Sequence, residues 1–121
     1  MARLNHFQFI GNLTRDPELR YASSGMPICI LGLAVNNEYE KDGERIKTTD
    51  FFDIKVFGKY GENCANYLTK GRQVYIDGRI EYNRYEKDGT IRVKYDFIAD
   101  KVLFLDRKER NTDRDFDDLP F

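Results

Sequence analysis

The chain is 121 residues long, 40% hydrophobic and 34% charged, with a net charge of −1. That length supports one modest core and excludes a two-domain enzyme. No apolar run approaches the ~18 residues of a membrane-crossing helix, and the longest comparable stretch, Pro27 to Val35, is interrupted by Gly32. The charge is unevenly placed. Residues 112–121 set Asp113, Asp115, Asp117 and Asp118 against Arg114, which makes that end −3 and leaves +2 on the rest. A basic body with an acidic end hints at a nucleic-acid partner. The opening MARLNHFQF lacks the separate regions of a secretory signal, so the cytoplasm is the expected compartment.

Residues 4–13 are rich in aromatic and branched side chains and predict a first strand. Residues 14–27, with Pro17, Gly25 and Pro27, read as turns. Residues 28–38 predict a second strand, with a bulge or bend at Gly32. In residues 46–57, Phe52, Ile54 and Val56 share one parity and Phe51, Asp53, Lys55 and Phe57 the other, which places the two sets on opposite faces of a third strand. Tyr60, Cys64, Ala65 and Leu68 fall close to one helical stripe, so a helix is predicted from Tyr60 to Thr69, closed by Lys70 and Gly71. Two further alternating runs follow, QVYIDGRIEYNRY and TIRVKYDFIADKVLFL.

The pentapeptide YEKDG occurs twice, at 39–43 and 85–89, each time between strand-like runs. Asp-Gly there is a hairpin signal, because a type I′ turn needs positive φ at both central residues. Three strands, a helix and two more strands predict an all-β OB-fold. It would be a five-stranded Greek-key barrel with one short helix, covering residues 1–106. Residues 107–121 read as a short charged leash, disordered, ending in an acidic tip that holds Phe116, Leu119 and Phe121.

Catalytic chemistry finds little support. There is one histidine, His6, and no GxSxG, P-loop or HExxH pattern. Cys29 and Cys64 are 35 positions apart without a CxxC, so zinc is not expected; buried free thiols are, with a disulfide as the alternative. No metal or cofactor is expected. Aromatic residues make up 14% of the chain, and Phe51 and Phe57 share the outward parity with Lys55. Exposed rings among cations suit single-stranded nucleic acid: bases stack on the rings and cations neutralise the phosphates. The plainer reading of Phe51 is packing under a loop or a subunit.

The stretches IGNLTRDPELRY, LAVNNEY, FFDIKVFGK, NYLTKGRQVYIDGRI and the terminal DFDDLPF together carry a specific resemblance. The chain resembles the bacterial and phage single-stranded DNA-binding proteins over nearly its whole length. The resemblance implies an OB-fold assembled as a homotetramer that binds single-stranded DNA. It implies stacking by Tyr39, Phe51, Phe57 and Tyr85, and phosphate contacts by Arg3, Arg20, Lys59 and Lys70. Arg72, Arg84 and Lys87 join the phosphate set from charge and placement. The resemblance also implies that Asp115, Phe116, Asp117, Asp118, Leu119, Pro120 and Phe121 dock replication, recombination and repair proteins.

Three departures stand out: Glu81 and Asn83 replace basic residues, Tyr and Phe replace Trp, and the leash is short. The first two imply weaker binding than in typical relatives; the short leash argues against cooperative contacts between tetramers and fits a compact phage or mobile-element version. Two rival readings remain at this point. One is an OB-fold assembly adaptor that touches nucleic acid incidentally. The other is a small nuclease, for which Asp50, Asp53 and Asp77 are the candidate carboxylates.

Overall fold

The computed structural model describes residues 2–105. Six strands and one helix follow in chain order: β1 (Phe7–Leu13), β2 (Glu18–Tyr21), β3 (Pro27–Lys41), β4 (Glu44–Phe57), α1 (Gly58–Tyr67), β5 (Gln73–Lys87) and β6 (Thr90–Phe104). The sheet order is β1-β5-β6-β4-β3-β2, and a further β1–β3 pairing closes five strands into a barrel. This is the expected OB-fold. Among the described residues no helix is long and apolar enough to cross a membrane.

The turn-rich segment contains a strand the sequence did not reveal. β2 is four residues long and pairs with residues 27–30 of β3. β1 takes Leu33 and Ala34 on the same strand. Gly32 lies between these two pairings, and the β3–β4 register runs unbroken through it, so the expected bulge is absent there. Gly32 is instead a place of close approach: a Cβ would collide with the side chains of Arg15 and Thr14. The irregularity falls at Asp77/Gly78 on β5. There a Cβ on Gly78 would run into the carbonyl of Ile98 on β6.

Both hairpins close as their turn chemistry dictates. Asp42 and Gly43 have φ of 52° and 80°, Asp88 and Gly89 54° and 75°, the positive pair a type I′ turn needs. Lys41 therefore pairs with Glu44 and Lys87 with Thr90. The two ribbons run the full length of their strands.

The helix is shifted two residues toward the N-terminus of the expected span. Leu68 has already left it, at φ −102° and ψ 148°. Its N–H still donates to the Cys64 carbonyl at 3.0 Å, while its side chain is buried in the core. Gly71 is not the helix cap; its N–H donates to the Leu13 carbonyl at 2.8 Å and ties this link to β1. Tyr60 fixes the helix to β6, its hydroxyl donating to the Val102 carbonyl and accepting from the Val102 N–H.

Leu31, Leu33, Ile54, Val56, Val74 and Ile76 form the centre of the core. Full burial of each such side chain stabilises the fold by roughly 1.5–3 kcal/mol. Cys29 and Cys64 are buried free thiols among them, and burial pushes their pKa values up to about 11 and about 12. At one end of the barrel Phe7, Phe9, Phe52 and Phe97 cluster, with Phe9 stacked on Phe52 at 4.3 Å.

Candidate nucleic-acid interface

β4 and β6 run parallel and pair only at Ile54–Phe97 and Lys55–Ile98. Before those residues a cleft of about 540 Å³ separates the two strands, with Phe51 and Asp53 on one wall and Lys94, Tyr95 and Asp96 on the other. Phe51 stands at its mouth, 71% exposed. The alternation along β4 explains this. Ile54 and Val56 point into the core, so Phe51, Asp53, Lys55 and Phe57 face out.

Transverse pairing sets cations beside the rings. Arg20 pairs with Ile28, and Ile28 with Phe57, which puts Arg20 and Phe57 in one row across β2, β3 and β4. In the next row Glu18 pairs with Ile30, and Ile30 with Lys55. The Lys55 ammonium lies 3.6 Å from Asp96, which also faces Lys94 at 3.8 Å and accepts from the Asn83 amide at 2.6 Å. The Arg15 guanidinium crosses over Gly32 to Asp53, 3.1 Å away. Arg20 is paired with Glu18 at 2.7 Å. The Arg15–Asp53 and Arg20–Glu18 pairs are exposed and worth little, typically about 0–1 kcal/mol, so a phosphate can take over those two cations, whereas the Lys55–Asp96 pair is largely sheltered.

All four rings expected to stack are exposed, and none is sealed in the core. They do not share one face. Tyr39 pairs with Ile46 and has the parity of Leu33 and Val35, which puts it on the opposite side of the β3–β4 ribbon from Phe51. Tyr85 pairs with Arg92 and shares its face with Lys87 and Lys94. Arg84, opposite Val93, lies on the other face of that ribbon. Lys59 is exposed on the first turn of α1. Lys70 lies near the β1–β2 link, its N–H donating to Asp16 at 2.8 Å. Arg72 is half-buried. Arg3 is exposed two residues before Asn5, which grips the Ile80 backbone at 2.7 and 3.0 Å. The tip residues 115–121 lie outside the described residues.

The sequence reading left Arg15, Arg92 and Lys94 out of the site and placed Lys55 only beside Phe51. The signal for Lys94 and Arg92 was present: both alternate with Val93 and Tyr95 on β6. Nothing local marks Arg15, whose placement depends on Gly32 and Asp53. The candidate carboxylates of a nuclease do not converge. Asp50 and Asp53 lie on opposite faces of β4, and Asn37 donates to Asp50 at 2.5 Å. Asp77 on β5 accepts the Tyr75 phenol proton at 2.7 Å, which pushes that phenol's pKa up. Among the described residues, no three His, Cys, Asp or Glu side chains form a group that could hold a metal ion.

Comparison with known proteins decides the family. The model of the single-strand binding protein family matches residues 4–105. The chain belongs to this family. A Thermotoga maritima relative named as a single-stranded DNA-binding protein is 40% identical over 114 residues, 93% of this chain and 81% of its own length. A Treponema pallidum relative of the same name is 37% identical over 105 residues, and the match spans 87% of this chain but only 60% of that protein. Two solved structures share the fold of this family member. The single-stranded DNA-binding protein of Thermus aquaticus, as a deletion mutant, gives a TM-score of 0.79 at 28% identity, over 88% of this chain and 52% of that one. A Plasmodium falciparum complex with single-stranded DNA gives 0.77 at 24% identity, over 88% and 98%.

Proposed function

We propose that this chain binds single-stranded DNA without reading its sequence, holding the strand by stacking and phosphate neutralisation and performing no chemistry on it. The supporting observation is Phe51, a ring 71% exposed at the mouth of a cleft whose walls carry Arg15, Lys55 and Lys94. Every base has a face to stack, so such a site accepts any sequence. The names of the bacterial relatives agree with this reading. The chain works as a homotetramer in the cytoplasm. Its 107–121 segment recruits replication, recombination and repair proteins: Phe116, Leu119 and Phe121 offer apolar side chains to a pocket rimmed with cations, and the aspartates speed encounter.

Titration with oligo-dT across a salt series, with light scattering to give assembly size, tests the reading. Log affinity falls linearly with log salt, about −0.7 per phosphate contacted. Phe51→Ala raises Kd roughly 5- to 150-fold, the equivalent of about 1–3 kcal/mol of stacking, and leaves the slope unchanged. Absence of binding at low salt, or a changed slope in that variant, overturns it.

A further inference from the structure

The face of the β5–β6 ribbon opposite Tyr85 is the more apolar of the two, and the expected site does not use its rings. Tyr82 and Tyr95 stand directly opposite each other in the ladder, with rings 5.7 Å apart at 62°, edge to face. They are 57% and 61% exposed. Their position follows from the alternation. Ile80 pairs with Phe97, and Phe97 belongs to the phenylalanine cluster at the barrel end. Beyond Phe97 the barrel has ended, so the next rings on the inward parity stand in solvent. A cross-strand ring pair supports the hairpin only modestly, less than covering the two rings would.

Two further observations point to what covers the pair. Tyr95 lines the same cleft as Phe51 and Lys94. Phe51 has the outward parity of β4 and Tyr95 the inward parity of β6, so a strand leaving Phe51 reaches Tyr95 through the cleft, past the edge of β6 that β4 leaves unpaired before Phe97. Arg84 lies on this face as well, two residues past Tyr82 and opposite Val93. Glu86 is further out, opposite Ile91 near the tip, so the cation is the charge nearer the rings along β5.

We infer that Tyr82 and Tyr95 form a second base-stacking platform for single-stranded nucleic acid, continuous with the Phe51 cleft, with Arg84 neutralising an accompanying phosphate. The inference rests on the proposed reading of the cleft. An edge-to-face pair leaves one ring face open for a nucleobase to lie on.

The chain contains no tryptophan, so Tyr82→Trp and Tyr95→Trp each install a single reporter in the full-length protein and keep a ring in place. Excess oligo-dT quenches both reporters and leaves Tyr67→Trp, at the end of α1, unquenched. Tyr82→Ser and Tyr95→Ser each raise Kd at least about fivefold without altering the salt slope, and Arg84→Gln makes the slope shallower by about 0.7. If the Ser variants fail to fold, the tryptophan reporters decide alone. Unquenched reporters in a protein that Phe51→Ala still weakens overturn the platform and leave the cleft standing. Failure of the wild type to bind oligo-dT overturns both. A smaller assembly in sedimentation of Tyr82→Ser, with unchanged affinity, overturns the platform by showing that the face joins copies of the chain.

Discussion

The two hairpins end in the same five residues and rise on unlike stems. The β3–β4 stem is polar: Thr49 donates to Asn36 at 3.0 Å, and Asn37 to Asp50. The β5–β6 stem carries Tyr82 and Tyr95 on one face, and Tyr85 with Arg92 and Lys94 on the other. YEKDG therefore specifies how the chain reverses. It does not specify what the reversed ribbon can hold, because turn chemistry is local to four residues and ligand chemistry depends on the face built below the turn.

The strands of the two ribbons also carry unlike glycines, and there the contrast is easiest to break. Gly78→Ala on β5 drives a methyl into the backbone of Ile98 and Ala99. It should cost about 3 kcal/mol, the upper part of the range for overpacking, read as a lower urea midpoint. Gly32→Ala on β3 meets the guanidinium end of Arg15, which can swing aside, and the hydroxyl of Thr14, whose N–H is bonded to the Gly32 carbonyl, and should cost about 1 kcal/mol by the same measure, the lower end of that range. Equal costs would refute the distinction between backbone and side-chain crowding. A smaller effect separates the two tyrosines. Tyr85 stands among Lys87, Arg92 and Lys94, whereas Tyr39 shares its face with Lys41 and the opposing Glu44. Tyr85→Ala should raise Kd for oligo-dT by about 30-fold, near 2 kcal/mol, and Tyr39→Ala by about fivefold. The reverse order would make the polar stem the better grip. Smallest is Asp53→Asn, which releases Arg15 for phosphate. It should tighten binding by roughly two- to fivefold at low salt, within the range of an exposed ion pair, and the gain should vanish at high salt. Weaker binding instead would make Asp53 a support that holds Arg15 in place for the strand.

Much of the barrel was legible because alternation is a property of single strands. Ile54 and Val56 pack inward and Phe51 and Phe57 face out, as their parity requires. β2 was not legible, since Glu18–Tyr21 is short and mostly polar and forms only because β3 offers it a free edge. The helix end was misread because Leu68 fits a helical stripe yet reaches the core in extended form. The irregularity opposite Gly78 depends on the partner strand, where Asp100 of β6 is skipped in the ladder. The rings of the site were visible individually, but their division between faces was not. Tyr39 has core parity and is exposed only because the barrel stops short of it, and where a barrel stops is a property of the assembled sheet.

Two residue pairs are all that the ladder provides between β4 and β6. A jaw hinged on so short a seam can widen without breaking a long run of hydrogen bonds. Purines and pyrimidines differ in size, and a rigid slot would favour one of them. On the proposed reading, a seam that can widen would admit purines and pyrimidines alike and add to the tolerance that stacking gives.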